Sequence, residues 1–425
     1  MKRSLLAIAV LFLAISCKTT QVKSSSLSNE YKIVDSLISE KSYFKARDIL
    51  KKQGGTFSEY QRLLSGAAID NAFNEPAASN NKISMLFAKY YGTLTDSMRL
   101  NLLRIKASNH ARLFQYTDAE AATARILKEY PFLMRADEVT DYQNSLEIWQ
   151  SLSGQPKQEV TVNGDIYIKL QRDKAGLKNL TVKRDSISIP FIFDTGANLS
   201  AVNESTAARM GMTILDSAID VGAITGNVVE AKLAVCPVFT IGNITVKNAV
   251  FLVFPDSGMS FPQIDYKING IIGFPVIEAL GEVQITAADE FIVPQKSTAY
   301  SKRNMTLEFL TPIIDVEGEY FTFDTGAAST MLYRKYYLAH PEVYKGLDAV
   351  ELNSGGVGGT VKRKGYNITF SPVIDGRQLH IDKVDLFQDD TNADLRFFYG
   401  NMGQDVIKQF SKMTINFRDM FIKFD

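Results

Sequence analysis

The sequence predicts a multidomain protein with both α and β structure, in which an N-terminal α-helical domain precedes two tandem all-β units. Three observations predict this class. Apolar residues recur at helical spacing from about residue 31 to residue 153, and the tetrad Asp-Thr-Gly-Ala then occurs twice. The two tetrads begin 130 residues apart, at Asp194 and Asp324. A fixed period with matched motifs indicates that a folding unit has been duplicated.

The N-terminal part, residues 31–153, is expected to form an α-helical accessory domain. Leu100, Leu103, Ala107 and Ala111 form an apolar stripe at steps of three, four and four residues. Segments of this kind joined by short polar turns are typical of antiparallel helix pairs. A repeat array that binds a protein partner is the alternative interpretation. The segment 154–158 contains Gly and Pro and is the predicted linker to the β part.

Each tetrad follows a short apolar run that is typical of a strand, 191–193 before the first and 321–323 before the second. The glycine of each tetrad allows a sharp turn and a close approach of the backbone to a neighbour. Each aspartate therefore ends a strand and points out of a tight turn. The first tetrad is Asp194, Thr195, Gly196 and Ala197, and the second is Asp324, Thr325, Gly326 and Ala327.

A second motif repeats at the same offset. Residues 269–277 align without a gap on residues 399–407, so that Gly273 falls on Gly403. Helix-like stretches follow at 276–280 and 406–410. Strand, turn, strand, apolar-Gly segment, short helix and closing strand together describe a small closed β unit. We place the two units at residues 160–296 and 297–425. An ordinary pair of β-turns is the simpler alternative for the tetrads, but it does not explain the shared register.

These motifs resemble the aspartic proteases, and within them the retropepsin-like branch, over about residues 160 to 425. That resemblance implies a glycine-rich hairpin flap between the two motifs of each unit. Two departures leave the contacts around the aspartate loops in doubt. Phe274-Pro275 and Gln404-Asp405 stand where Arg followed by Asp or Asn is usual, and polar Asn401 stands at an apolar position. The flap candidates are Gly222 and Gly226 in the first unit and Gly355, Gly356, Gly358 and Gly359 in the second.

The resemblance implies that Asp194 and Asp324 are the two catalytic residues of one site. Two carboxyls about 3 Å apart cannot both ionise, so they share one proton. One carboxylate can then activate a water while the other, protonated, donates to the scissile carbonyl. Thr195 and Thr325 would hydrogen-bond across the axis between the loops, and the flaps would cover an extended peptide. The substrate is therefore expected to be a peptide or protein, and no cofactor or metal is expected.

Two other functional interpretations stay open. The fold could hold a peptide without cutting it, as a catalytically silent surface binding protein. Alternatively, each unit could pair with its counterpart in another chain, although duplication favours an active monomer. The three histidines are scattered along the sequence, which argues against metalloprotease and cysteine-protease chemistry. The 47 basic and 47 acidic side chains form no basic run, which argues against nucleic-acid binding.

Residues 1–17 are typical of a secretion signal, with Lys2-Arg3 before an apolar run that is too short to span a bilayer comfortably. Ser16 before Cys17 resembles a bacterial lipoprotein cleavage site, and we expect Cys17 to be lipidated and residues 18–30 to form a flexible tether. A plain signal peptide is the alternative. The sequence thus predicts an exported protein, anchored by lipid to a bacterial cell membrane on its periplasmic side or at the cell surface. Cys236, in an apolar run, is expected to be a buried inert thiol.

Overall fold

The computed structural model describes residues 29–222, 228–356, 359–390 and 393–425. A helical N-terminal region is followed by a largely β region, which confirms the predicted order of the two classes. The predicted signal segment with Cys17, nearly all of the tether, Gly226 and Gly358 lie outside the described residues.

The N-terminal helices pack as consecutive pairs joined by short turns. Local signals fix several of their starts: Ser58 caps α3 in a reciprocal arrangement with Gln61, Thr95 caps α5, and Pro76 opens α4. The helices of this region are α1 (Asn29–Ser39), α2 (Tyr43–Gln53), α3 (Glu59–Ala72), α4 (Pro76–Tyr90), α5 (Asp96–Arg112), α6 (Tyr116–Glu129) and α7 (Ala136–Leu152). The helices of the β region are α8 (Glu204–Arg209), α9 (Phe274–Ala279), α10 (Arg334–Ala339) and α11 (Gln404–Ile407).

The first β segment forms a sheet that closes on itself. Its strands pair in the order β10-β6-β13-β5-β4-β9, and β9 pairs again with β10. Buried Phe191, Phe239 and Phe251 fill the interior with edge-to-face ring contacts. The strands are β1 (Glu159–Val162), β2 (Ile166–Lys169), β3 (Gln171–Arg172), β4 (Lys178–Arg184), β5 (Ile187–Phe193), β6 (Ser200–Asn203), β7 (Thr213–Ile214), β8 (Ile219–Gly222), β9 (Val228–Ile241), β10 (Ile244–Phe254), β11 (Ser260–Phe261), β12 (Tyr266–Lys267), β13 (Gly270–Ile272), β14 (Glu282–Thr286) and β15 (Glu290–Val293).

The second β segment repeats much of this order, as β16-β17-β18-β25-β19-β24-β21-β20. Among the described strands β17 does not pair with β21, so this sheet stays open where the first one is closed by β4 and β9. The expectation of a closed unit is therefore wrong for the second segment. The strands are β16 (Met305–Glu308), β17 (Thr311–Val316), β18 (Glu319–Phe323), β19 (Met331–Leu332), β20 (Val350–Gly356), β21 (Gly359–Phe370), β22 (Val373–Ile374), β23 (Arg377–Gln378), β24 (Ile381–Phe387), β25 (Gly400–Met402), β26 (Lys412–Asn416) and β27 (Phe421–Phe424).

The closing strands of the two segments form a sheet of their own, in the order β2-β15-β14-β26-β27. In its centre β14 pairs antiparallel with β26, and Glu282 lies opposite Asn416. The Glu282 carboxylate is buried there and accepts hydrogen bonds from Asn416, Gln284 and Thr298. The pairing of β14 with β26 thus joins the two segments, whereas β15 and β27 pair with strands of their own segments.

The helical region packs against both β segments. Phe44 of α2 contacts Tyr320 of β18, with ring centroids 5.4 Å apart, and the Tyr43 hydroxyl donates to Glu308 at 3.1 Å. At the other end, Trp149 of α7 packs in an apolar cluster with Ile219 of β8. Among the described residues no helix is both long enough and apolar enough to cross a lipid bilayer.

Candidate active site

Each aspartate of the repeated tetrad stands immediately after a buried strand, as the sequence predicts. Asp194 follows β5, and its backbone N–H donates to the Ile272 carbonyl of β13 at 3.1 Å. Asp324 follows β18, and its N–H donates to the Met402 carbonyl of β25 at 2.9 Å. Both strand pairs run parallel, so each aspartate loop is anchored to the apolar-Gly segment beside it.

The carboxyl of each aspartate is held by its own turn. The Gly196 N–H donates to Asp194 Oδ1 at 2.8 Å, and the Gly326 N–H donates to Asp324 Oδ1 at 2.7 Å. A carboxylate that accepts a backbone N–H two residues on is a common device of tight turns. One oxygen of each carboxyl is therefore fixed, and both residues keep a partial exposure to solvent.

The two turns are joined by four reciprocal hydrogen bonds made by Thr195 and Thr325. The Thr195 N–H donates to Thr325 Oγ1 at 3.1 Å, and the Thr325 N–H donates to Thr195 Oγ1 at 3.0 Å. Each hydroxyl in turn donates to the carbonyl that precedes the opposite aspartate, at Phe323 (3.0 Å) and Phe193 (2.8 Å). Both threonines are buried, so these polar groups depend on each other for their hydrogen bonds.

The glycines of the tetrads allow the two carboxyls to lie against the opposite loop. A Cβ atom on Gly196 would come within 2.6 Å of Asp324 Cγ, and a Cβ on Gly326 would overlap the Asp194 carboxyl. No contact of this kind is tolerated between real atoms, so any larger residue must displace the facing carboxyl. The sequence predicts a close approach at these glycines, and the partner is the other aspartate.

The proximity of the two carboxyls changes the acidity of Asp194. Burial raises the pKa of Asp194 well above its usual range, and the charge of Asp324 and a hydrogen bond with Asp324 raise it further. The backbone N–H groups of Gly196 and Ala197 act in the opposite direction but are weaker. The Asp194 carboxyl is therefore harder to ionise than that of an ordinary aspartate.

The apolar-Gly segments support the turns from behind. A Cβ on Gly273 would lie 2.5 Å from the Leu199 carbonyl oxygen, and one on Gly403 would lie 2.8 Å from that of Ala327. The helices that follow, α9 and α11, begin two residues earlier than predicted, and α11 is also shorter.

The departures from the usual motif also find partners in the structure. Buried Gln404 donates from Nε2 to the Thr325 carbonyl at 2.7 Å. The Asp405 carboxylate accepts from the N–H and the hydroxyl of Thr330 at 2.8 and 2.7 Å. The second loop is therefore held by polar side chains. In the first loop, Phe274 occupies the position equivalent to Gln404 and packs on Phe417 instead.

One polar contact distinguishes the two aspartates. Asn401 is 3% exposed and lies beside Asp324, where its Nδ2 donates to Asp324 Oδ2 at 3.3 Å. Its Oδ1 accepts from the Thr322 hydroxyl at 2.6 Å. The sequence marks Asn401 only as an exception to an apolar pattern and gives no signal that its amide reaches the carboxyl.

The flap candidates lie at the ends of two hairpins. Gly222 ends β8 opposite Val228 of β9, and Gly356 ends β20 opposite Gly359 of β21. Gly355 is also in β20, whereas Gly226 and Gly358 fall outside the described residues. Each segment thus contains an antiparallel strand pair with a candidate flap glycine at the end of a described strand.

Other candidate chemistry has little support in the described part of the chain. No three side chains of the metal-binding types cluster there. The Cys236 thiol is fully buried, and burial raises its pKa, which disfavours the reactive thiolate.

Comparison with known proteins finds a family model and solved structures that are similar to parts of this chain. Residues 180–276, which contain the first tetrad and the first apolar-Gly segment, match the family model described as aspartyl protease. The solved structures include one titled as a crystal structure of a retropepsin-like aspartic protease from Rickettsia conorii. It is 22% identical, covers 32% of this chain and 92% of its own, and has a TM-score of 0.22. No match is found among curated proteins. The family match confirms the predicted resemblance to aspartyl proteases for residues 180–276.

Proposed function

We propose that this chain is an aspartic endopeptidase whose single site lies between two tandem retropepsin-like units related by a pseudo-two-fold axis. The reciprocal hydrogen bonds of Thr195 and Thr325 carry the proposal, because they hold Asp194 and Asp324 against each other within one molecule. The carboxyls would share one proton and activate a water for attack on a peptide carbonyl. The two glycine-rich hairpins would act as flaps over the bound peptide.

The closed geometry around the aspartates also supports an active site that forms within one chain. The four hydrogen bonds at the loop contact have both partners in the same molecule. The domain limits that accompany the proposal are residues 31–153 for the helical domain, 160–296 for the first unit and 297–425 for the second.

The decisive experiment is to make Asp194→Asn and Asp324→Asn separately and to measure cleavage of an unstructured protein from acid to neutral pH. Each variant should lose activity on the order of 10³-fold or more, because neither carboxyl alone can provide both the base and the acid. Asp348→Asn is the matched control, since Asp348 is exposed and lies outside the aspartate loops. Full activity in either aspartate variant contradicts the shared site.

The binding-protein alternative gives a different result in the same assay. It expects stoichiometric binding of a peptide without turnover, and no change in the peptide over long incubation. Turnover that a statine-type transition-state inhibitor blocks supports the enzyme instead.

We also propose that the protein is exported and anchored by lipid at Cys17, on the basis of the signal-like segment 1–17. Incorporation of labelled palmitate that persists in a Cys17→Ser variant would contradict the anchor.

A protein partner of the helical domain is a further proposal.

A further inference from the structure

The two aspartates of the site have different surroundings, and the difference begins in the sequence at two positions. Thr322 and Asn401 lie opposite each other where β18 pairs with β25. At the same offset in the first segment, Ile192 lies opposite Ile271. Both pairs are buried, so the second segment places two polar side chains where the first has apolar ones.

The two polar side chains form a directed chain that ends on Asp324. The Thr322 hydroxyl donates to Asn401 Oδ1 at 2.6 Å, which fixes the amide so that its Nδ2 faces Asp324 Oδ2 at 3.3 Å. Asp324 Oδ1 already accepts from the Gly326 N–H. Both oxygens of this carboxyl therefore have donors, and a carboxyl with donors on both oxygens is favoured in its ionised form. Ile271 cannot give Asp194 an equivalent donor.

On this basis we propose that Asn401, oriented by Thr322, is a positioning residue that fixes the shared proton of the pair on Asp194 and the negative charge on Asp324. The inference rests on the proposed function and makes it specific.

The assignment gives each aspartate one role. Ionised Asp324 takes a proton from the attacking water as the water oxygen bonds to the peptide carbonyl carbon. Asp194 gives its proton to the carbonyl oxygen as the carbon–oxygen double bond becomes single. The product of this step is a neutral gem-diol. Asp194 has lost its proton to the carbonyl oxygen and Asp324 has gained one from the water, so the charge of the pair is unchanged. Atoms and charge balance without any further reactant.

Other titratable groups near Asp324 do not supply the asymmetry. Among the described residues, Asp194 and the buried Tyr333 interact with it, and Arg363 and Asp390 interact with Tyr333 in turn. Burial raises the pKa of Tyr333, so this hydroxyl stays neutral across the working range. Among the described side chains outside the pair, that of Asn401 donates a hydrogen bond to one carboxyl and not to the other.

The test is a pH titration of the full chain labelled with ¹³C at the aspartate side-chain carboxyls, followed by NMR. Asp194→Asn and Asp324→Asn assign the two signals. We expect the Asp324 signal to report the ionised form over a pH range in which the Asp194 signal reports the acid. In Asn401→Leu, which keeps the size of the side chain but removes the donor, this difference should be lost. Ile271→Leu is the matched control and should leave both signals unchanged.

Activity provides an independent measurement. In Asn401→Leu the acid limb of the kcat/KM profile should move up by about 1 pH unit, as expected for loss of one hydrogen bond to a carboxylate. The kcat should fall while KM changes little, because the amide does not touch the substrate. Thr322→Val should produce the same changes in weaker form, and it replaces Asn401→Leu if that variant does not fold.

The outcomes separate this inference from the proposed function. Carboxyl signals that titrate identically in wild type and in folded Asn401→Leu or Thr322→Val would overturn the role of Asn401. Absence of turnover by the wild type, with the asymmetric titration present, would overturn the proposed protease activity alone.

Discussion

At the scale of single residues, the site depends on two glycines that have no side chain and so leave space for the opposite carboxyl. Gly196 and Gly326 each face the opposite aspartate, and the backbone N–H of each donates a partly buried hydrogen bond to the aspartate of its own turn. The backbone there cannot retreat without breaking those bonds. A Cβ at either position must therefore displace the facing carboxyl.

We predict that Gly196→Ala abolishes most activity, by roughly 10²-fold or more, because displacing Asp324 by even 1 Å spoils the alignment of the reacting groups. The added Cβ would lie 2.6 Å from Asp324 Cγ. Peptide cleavage and far-UV circular dichroism together measure the effect. Gly92→Ala is the control, since a Cβ there meets nothing within 4 Å. Wild-type activity in Gly196→Ala would show that the aspartate loops are further apart than described.

At the scale of elements, the two aspartate turns act as one unit because their threonines complete each other's hydrogen bonds. Thr195 and Thr325 each make two donor contacts, from the backbone N–H and the hydroxyl, and one acceptor contact, at Oγ1, with the opposite loop. The sequence indicates the threonines through the family resemblance, and the structure supplies their partners. β14 and β26 also pair across the two segments, and the sequence does not reveal this pairing.

Replacing either threonine by valine should lower the free energy of unfolding by about 2 kcal/mol or more, because each change leaves a buried N–H and a buried carbonyl without partners. The double variant should cost less than the sum of the two, since both changes break the same contact. Urea denaturation of the two single variants and the double variant measures this coupling. Thr245→Val in β10 controls for the change of residue type. Additive effects would mean that the two turns are independent.

At the scale of the whole molecule, the helical region joins the two β segments from outside. It contacts the second segment through Phe44 and Tyr320 and the first through Trp149 and Ile219. The shared sheet also joins the two segments, through the pairing of β14 with β26. The loops that carry the aspartates are thus held together by contacts far from the site.

Because the hydrogen bonds of Thr195 and Thr325 join the two aspartate loops within one chain, specific activity should not depend on protein concentration. We expect constant activity per molecule on dilution from micromolar to nanomolar protein, where a dimeric site would dissociate. Activity assays paired with sedimentation at each concentration test this. A loss of specific activity that follows the loss of a dimer would favour the alternative in which units pair between chains.

The sequence by itself determined the motifs that matter most. The 130-residue offset, the strand before each aspartate and the apolar-Gly segments all depend on local pattern, and local pattern is recorded in sequence spacing. The same reasoning indicated a close approach at the tetrad glycines and marked Asn401 as an exception.

Only the tertiary structure decided what those residues meet. Hydrogen bonds such as Thr195 to Thr325 and Asn401 to Asp324 join positions 130 and 77 residues apart, and no periodicity encodes such pairs. The pairing of β14 with β26 is likewise non-local. The physical reason is that side-chain direction and strand pairing depend on how the whole chain packs, whereas spacing along the chain fixes only which elements can form.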